Sequence, residues 1–155
     1  MERQRGGVMT EEEIVERMSR NRPPAWETLG GKGVVGYDKA LHRITTQWIA
    51  ETRHCHSVEG HPKGGIVQGG FVTGWLDASM ASACIVRGDF AVAVPSLELK
   101  VSFLLPAHPG LYRCHGWIVR WGRSVAFMEA ELRDAEGELI ARASSTAAIR
   151  HLKKE

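Results

Sequence analysis

The most apolar stretch of the chain, Ile66–Val86 (IVQGGFVTGWLDASMASACIV), holds one charged residue, Asp77. A carboxylate withdrawn from water is costly unless it finds hydrogen bonds or shifts its pKa. The stretch opens on Gln68-Gly69-Gly70, a glycine-marked helix start where free backbone N–H groups attract negative charge. An oxyanion held by those groups and a carboxylate that attacks or activates water are the two parts of acyl chemistry. The competing reading is an Asp that caps a neighbouring backbone group or faces a subunit seam, and this segment alone leaves both open.

The surrounding pattern predicts the elements that must position Asp77. The central helix is expected from Gly69 or Gly70 to Val86, closed by Arg87-Gly88. Thr10-Glu11-Glu12-Glu13 has capping-box spacing, and Ile14, Val15 and Met18 follow at helical intervals, so a short helix should end before Pro23-Pro24. Gly30-Gly31-Lys32-Gly33 reads as a flexible connection or turn, and His54–Gly65 as a polar loop. Alternation predicts a strand at Ile44–Glu51 and another at Val92–Leu104, with Leu97, Leu99, Val101 and Phe103 on one face and Ser96, Glu98, Lys100 and Ser102 on the other. Leu111–Trp121 and Ser124–Asp134 read as strands around a turn at Gly122-Arg123, and Glu138–Arg150 as the last strand after a turn at Asp134–Gly137. One long helix and five strands, four in consecutive antiparallel order, imply an α+β domain with the helix wrapped by a curved sheet.

A chain of 155 residues, 43% hydrophobic and 25% charged, is that of one globular domain with a single core. A net charge of +2 from scattered Lys and Arg gives no footprint for nucleic acid, and the basic cluster Arg150-His151-Leu152-Lys153-Lys154 reads as a solvated tail. Three cysteines, Cys55, Cys84 and Cys114, form no disulfide framework and read as reduced thiols in a cytoplasmic protein. MERQRGGVMTEEE has no apolar core for a signal peptide. Ile66–Val86 is long enough to span a membrane, but its central Asp77 alone costs roughly 3 kcal/mol on an insertion scale, so no membrane insertion is expected.

Four motifs, in order, resemble the PaaI-like branch of the hot-dog thioesterases, which hydrolyse acyl-coenzyme A. Gly65-Ile66-Val67-Gln68-Gly69-Gly70-Phe71 precedes Leu76-Asp77, with the acid nine residues after Gln68, the family's interval after His or Gln. Pro95–Ala107 is similar to the strand ending in F-x-x-P-A, Val119–Phe127 to the R-x-G-R hairpin, and Asp134–Ala141 to D-x-x-G-x-x-x-A. The resemblance runs from Gln47 to Ile149 and implies a hot-dog fold of five to six strands at residues 36–155, after an N-terminal helix and linker at 1–35. It implies a homodimer or homotetramer with sites at the dimer seam and no cofactor, coenzyme A being part of the substrate. Pairing would also cover open sheet edges.

The resemblance assigns roles residue by residue. Asp77 corresponds to the nucleophile or general base, and Gly69 to the residue whose N–H polarises the thioester carbonyl. Gly70 allows close approach of the substrate. Gln68 stands where many relatives carry His; a carboxamide orients a carbonyl or water but does not titrate. Ser96 corresponds to a Ser or Thr that, from the facing subunit, hydrogen-bonds the catalytic water or acid, set against an ordinary strand hydroxyl. Relatives often carry Asn six residues before Gln68, where this chain has Pro62; His61 stands in a shifted N-P-x-G-like segment and is a candidate substrate contact. Gly122, Arg123 and Ser124 match the stretch that holds the pantetheine arm and phosphates of coenzyme A, where Arg suits phosphate recognition.

Other constellations rank lower. His54-Cys55-His56 with His61 lacks a completing metal-ligand element, so no metal is expected. Cys84 has no activating base, and Trp48, Trp75, Trp117 and Trp121 default to core packing over lining a pocket. A non-catalytic acyl-CoA or lipid-binding hot-dog protein is the alternative function. A hydratase ranks below it, since that chemistry needs a His where Gln68 stands.

Overall fold

The computed structural model describes residues 8–153. The first seven residues of the expected N-terminal region and Lys154 of the basic cluster lie outside the described residues. Helix α1, Glu11–Arg20, starts on a complete capping box: Glu13 N–H donates to Thr10 Oγ1 at 3.2 Å and Thr10 N–H to Glu13 Oε2 at 2.8 Å. The Pro pair does end it, and then opens a short second helix that the pattern did not announce, α2 at Pro24–Thr28, with Pro24 at the first helical position.

Gly31 begins strand β1, Gly31–Asp38, so the expected connection at Gly30–Gly33 is corrected, and β1 runs through the boundary placed at residue 35. The glycines serve packing here. A Cβ on Gly31 would stand 3.0 Å from both the Trp26 carbonyl oxygen and the Trp48 ring, so only glycine lets the strand pass these indoles. Strand β2, Arg43–Ala50, buries Ile44, Thr46, Trp48 and Ala50 as its alternation predicts. A 3-10 turn at Thr52–His54 leads to β3, Cys55–Ser57, which pairs with β4, Ile66–Val67. Thus His54–Gly65 is only partly loop, and His54 is 1% exposed.

Helix α3, Gly69–Arg87, is the central helix, capped by Gly88. It is followed by β5 (Val92–Ala93), β6 (Ser96–Phe103), β7 (Gly110–Trp121), β8 (Val125–Asp134), β9 (Leu139–Ala148) and β10 (Arg150–His151). The last strand therefore breaks at Ile149, and β10 turns away to pair with β5. The main sheet has six antiparallel strands in the order β1-β2-β7-β8-β9-β6. Four consecutive neighbours were expected, but β6 and β7 do not pair. The chain crosses from one side to the other through Leu104–Pro109, where Leu104 and Leu105 N–H both donate to Ile140 O.

The sheet wraps α3, and this is the expected hot-dog arrangement. Trp48, Trp75, Leu76 and Leu132 are fully buried between them. Closest approach is at Gly116, where a Cβ would lie 2.6 Å from the Ser79 carbonyl carbon and oxygen. Beneath it Thr46 and Ser79 hydroxyls bond each other at 2.5 Å, and Ser79 Oγ donates to Trp75 O at 2.7 Å, so the buried hydroxyls are satisfied. No helix among the described residues is long and apolar enough to cross a membrane.

Candidate active site

Gln68 is the N-cap of α3, in extended conformation, and its Oε1 accepts the Gly70 N–H at 2.6 Å. Its own N–H donates to His54 O at 2.9 Å, and the preceding Val67 N–H donates to Ala107 O at 2.8 Å. The 3-10 turn at His54 and the F-x-x-P-A turn thus fix the start of α3. His54 anchors this corner: its Nδ1 accepts the Glu51 N–H at 2.9 Å, and Nε2 lies 3.0 Å from Thr28 O, which makes Nε2 the protonated nitrogen. With both nitrogens engaged, His54 is a structural tie. Among the described residues no three His, Cys, Asp or Glu side chains converge as a metal site.

Gly69 N–H makes no hydrogen bond among the described residues. The Phe103 ring stands over it, since a Cβ on Gly69 would lie 3.1 Å from Phe103 Cζ. Beside Gly69 lies an apolar pocket of about 360 Å³, walled by Ile66, Val72, Phe103, Leu105 and Ile140. The alternation pattern read Phe103 only as a strand residue; its place at the head of F-x-x-P-A was the available signal for a site role.

Asp77 is not sequestered. It is half-buried, and Ser96 Oγ donates to its Oδ1 at 2.7 Å. The bond is made within one chain. It also corrects the expected faces of β6. The pairing with β9 slips between Ser96↔Ala147 and Glu98↔Thr146, a β-bulge that re-aims one side chain. Ser96 consequently shares the helix-facing side with Leu99, Val101 and Phe103, whereas Leu97 is 62% exposed.

The remaining candidates lie apart. His61 stacks on His108 with ring centroids 5.2 Å apart, its Nδ1 accepting Lys63 N–H at 3.1 Å; no hydrogen bond joins it to Gln68, Gly69 or Asp77 among the described residues. Gly122, Arg123 and Ser124 form the β7–β8 turn, closed by Gly122 N–H to Val125 O at 2.9 Å, with Arg123 and Ser124 exposed. The Arg87 guanidinium sits 5.5 Å over the neighbouring Trp121 ring. The hairpin therefore stands at the C-terminal end of α3, about 27 Å along the helix axis from Gly69. Asp77, eight residues into α3, is about 12 Å along the axis from the Gly69 N–H.

Trp48 and Trp75 are core residues, while Trp117 and Trp121 are half-buried under Arg43 and Arg87. Burial pushes the Cys84 and Cys114 thiols up to about 12, which leaves neither as a nucleophile near neutral pH.

Residues 64–141 match the model of the thioesterase superfamily. A phenylacetic acid degradation-related protein of Ralstonia eutropha JMP134 is 30% identical, with 87% of this chain and 98% of that one aligned at a TM-score of 0.73. A variant of the phenylacetic acid degradation protein PaaI of Thermus thermophilus (22% identity, 81% and 98% covered, TM-score 0.66) and the Haemophilus influenzae thioesterase HI1161 (17%, 96% and 96%, TM-score 0.73) share the fold. A Saccharolobus solfataricus protein named as an esterase is 33% identical over 81 residues, 52% of this chain and 57% of that relative, so the match spans little over half the relative's length.

Proposed function

The chain belongs to the thioesterase superfamily, related to its PaaI-type members, and from that premise we propose that it hydrolyses an acyl-coenzyme A thioester to the free acid and coenzyme A. The observation that carries the reading is the pairing on one helix of an unengaged Gly69 N–H at a capped N-terminus with a carboxylate, Asp77, oriented by Ser96.

The geometry supports the following roles. Gly69 N–H and the α3 N-terminus hold the thioester oxygen and the charge that develops on it. Gln68 Oε1 is occupied by the cap, so its amide N–H₂ is the group left to orient the substrate. Asp77 either takes a proton from an attacking water or attacks the carbonyl carbon itself. The C–S bond then breaks, and the thiolate leaves and takes up a proton as the coenzyme A thiol; where Asp77 has attacked, a water then cleaves the resulting acyl–Asp77 anhydride to the free acid and restores the carboxylate. The acyl group occupies the apolar pocket under Phe103.

One carbonyl cannot meet Gly69 and Asp77 of the same chain across about 12 Å. A complete site therefore joins Gly69 of one subunit to Asp77 and Ser96 of its partner. Strand β6 is the free edge that would pair, with Leu97 and Phe103 exposed on it. The same antiparallel pairing would bring a hairpin of Gly122, Arg123 and Ser124 from the far end of one helix toward the N-terminus of the other, where Arg123 is offered to a phosphate of coenzyme A.

The test is thiol release from a panel of acyl-CoAs by the native protein and by Asp77→Asn. Turnover by the native protein that falls at least about 1000-fold in the folded variant supports the reading. Binding without turnover across the panel would instead identify a non-catalytic acyl-CoA protein.

A further inference from the structure

Among the described residues, three non-glycine side chains sit on left-handed backbone: His42 (φ 46°), Asp89 (φ 51°) and Phe90 (φ 58°). All three line one cleft of about 440 Å³ between α1, the β1–β2 turn and the C-terminal end of α3. Left-handed backbone is rare for a bulky residue such as Phe, and such strain gathers where a site needs it. The cleft lies beside β1, the edge of the main sheet opposite β6; one of its residues, Arg87, also lies over Trp121 beside the β7–β8 hairpin.

Helix termination accounts for only part of this conformation. Gly88, Asp89 and Phe90 N–H groups donate to Cys84, Val86 and Ile85 carbonyls at 2.9, 3.0 and 2.9 Å, which caps α3. Glycine at position 90 would serve that cap without strain. Phe90 instead puts a ring in the cleft wall, where the Arg17 guanidinium of α1 clamps it at 3.9 Å from the centroid. Met9, Ile14 and Val86 complete an apolar floor.

The rim is polar and carries both signs. Lys39 and Arg87 line it with Asp89, and Glu11 adjoins it, its Oε1 accepting the Lys39 N–H at 2.8 Å. Lys39 Nζ donates to Met9 O at 2.7 Å, which holds the ammonium at the cleft and leaves two of its donors. His42 Nδ1 lies 3.3 Å from the Tyr37 hydroxyl, and both side chains line the cleft. Burial raises the Tyr37 phenol above its ordinary range, with Arg87 opposing the shift and the Glu11 and Asp38 carboxylates adding to it.

We infer that this cleft is a second binding site, taking a small amphiphilic carboxylate whose apolar body lies on Met9, Ile14 and Phe90 and whose charge meets Lys39 and Arg87. The inference does not depend on thioester hydrolysis, and its test uses no acyl-CoA. Sodium octanoate is titrated into the full chain and followed by proton–nitrogen correlation spectra. Saturable shifts are expected at residues 37–42 and 86–90, with a Kd below about 1 mM. Lys39→Met combined with Arg87→Met should weaken binding at these residues at least about tenfold, and octan-1-ol should leave them unmoved. Phe90→Gly, which relieves the backbone, should keep the fold and weaken octanoate as well. Shifts confined to Gly69, Val72 and Phe103, an unchanged Kd in the double variant, or equal binding of octan-1-ol would each overturn the inference.

Discussion

Ser96 donates to Asp77 across a 2.7 Å hydrogen bond only because a β-bulge turns its side chain onto the same face as Leu99. Strict alternation would point the hydroxyl at solvent. A neutral donor on a carboxylate fixes which oxygen remains free to act. Ser96→Ala should therefore lower kcat by about 10- to 100-fold with little change in KM, since it misorients the base without touching bound substrate. Steady-state kinetics on the best acyl-CoA of the panel decide this, and an equal loss in KM would make Ser96 a binding residue instead.

Gln68 both caps α3 and, in the proposed mechanism, orients the thioester. Gln68→Ala should cut turnover by about 10- to 1000-fold and lower stability by about 1 kcal/mol through loss of the bond from Gly70 N–H. Gln68→His should restore a working site. The shape of the pH–rate profile should survive Gln68→Ala, because a carboxamide has no proton to lose in that range. Unchanged turnover in Gln68→Ala would leave the residue as a cap alone.

The seam can be broken without touching Gly69 or Asp77. Leu97, 62% exposed, lies on the free edge strand β6 and away from the helix-facing side. Leu97→Glu places a like charge on both chains at the proposed interface, and should give monomers by sedimentation together with loss of turnover. A folded, fully active monomer would exclude a site shared between two chains.

Stability should fall at alkaline pH. The Cys84 and Cys114 thiols are raised by burial from near 9 to about 12. The folded chain keeps protons there that the unfolded chain releases, so their contribution is complete below pH 9 and is lost as pH rises toward 12. Denaturation midpoints measured from pH 8 upward should decline over that window, and Cys84→Ala with Cys114→Ala should flatten the decline. At pH 8 a thiol reagent should modify Cys55, the half-buried cysteine, well before the other two.

Gly116 marks the tightest helix–sheet contact. Gly116→Ala drives a Cβ into the Ser79 carbonyl, and overpacking of that kind costs about 1–3 kcal/mol. A measurable drop in Tm is expected, whereas Gly137→Ala, in open space at a turn with φ 86°, should cost only its backbone strain.

Local pattern alone was enough for the central helix, its Gly88 stop, the Thr10 capping box and most strand positions, because each depends on the periodicity or hydrogen-bonding habit of a few consecutive residues. The spacing of Gln68, Gly69 and Asp77 was legible for the same reason: all three ride on one helix. What lay beyond it were decisions between distant segments. The bulge that aims Ser96 arises from the register of β6 on β9, and β6 pairs with β9 because Leu104–Pro109 carries the chain across the sheet. Gly31 became a strand residue because Trp26 and Trp48 converge on it, and His54 left a polar loop for the core because Thr28 and Glu51 supply its two partners. Asp77, charged amid apolar neighbours, reads as buried in sequence. Only the assembled sheet shows it half open beside the edge strand, where a hydroxyl from 19 residues downstream satisfies it. Sequence carries such partners as separate letters, and only the packing of helix on sheet, with its cost for every unpaired polar group, joins them.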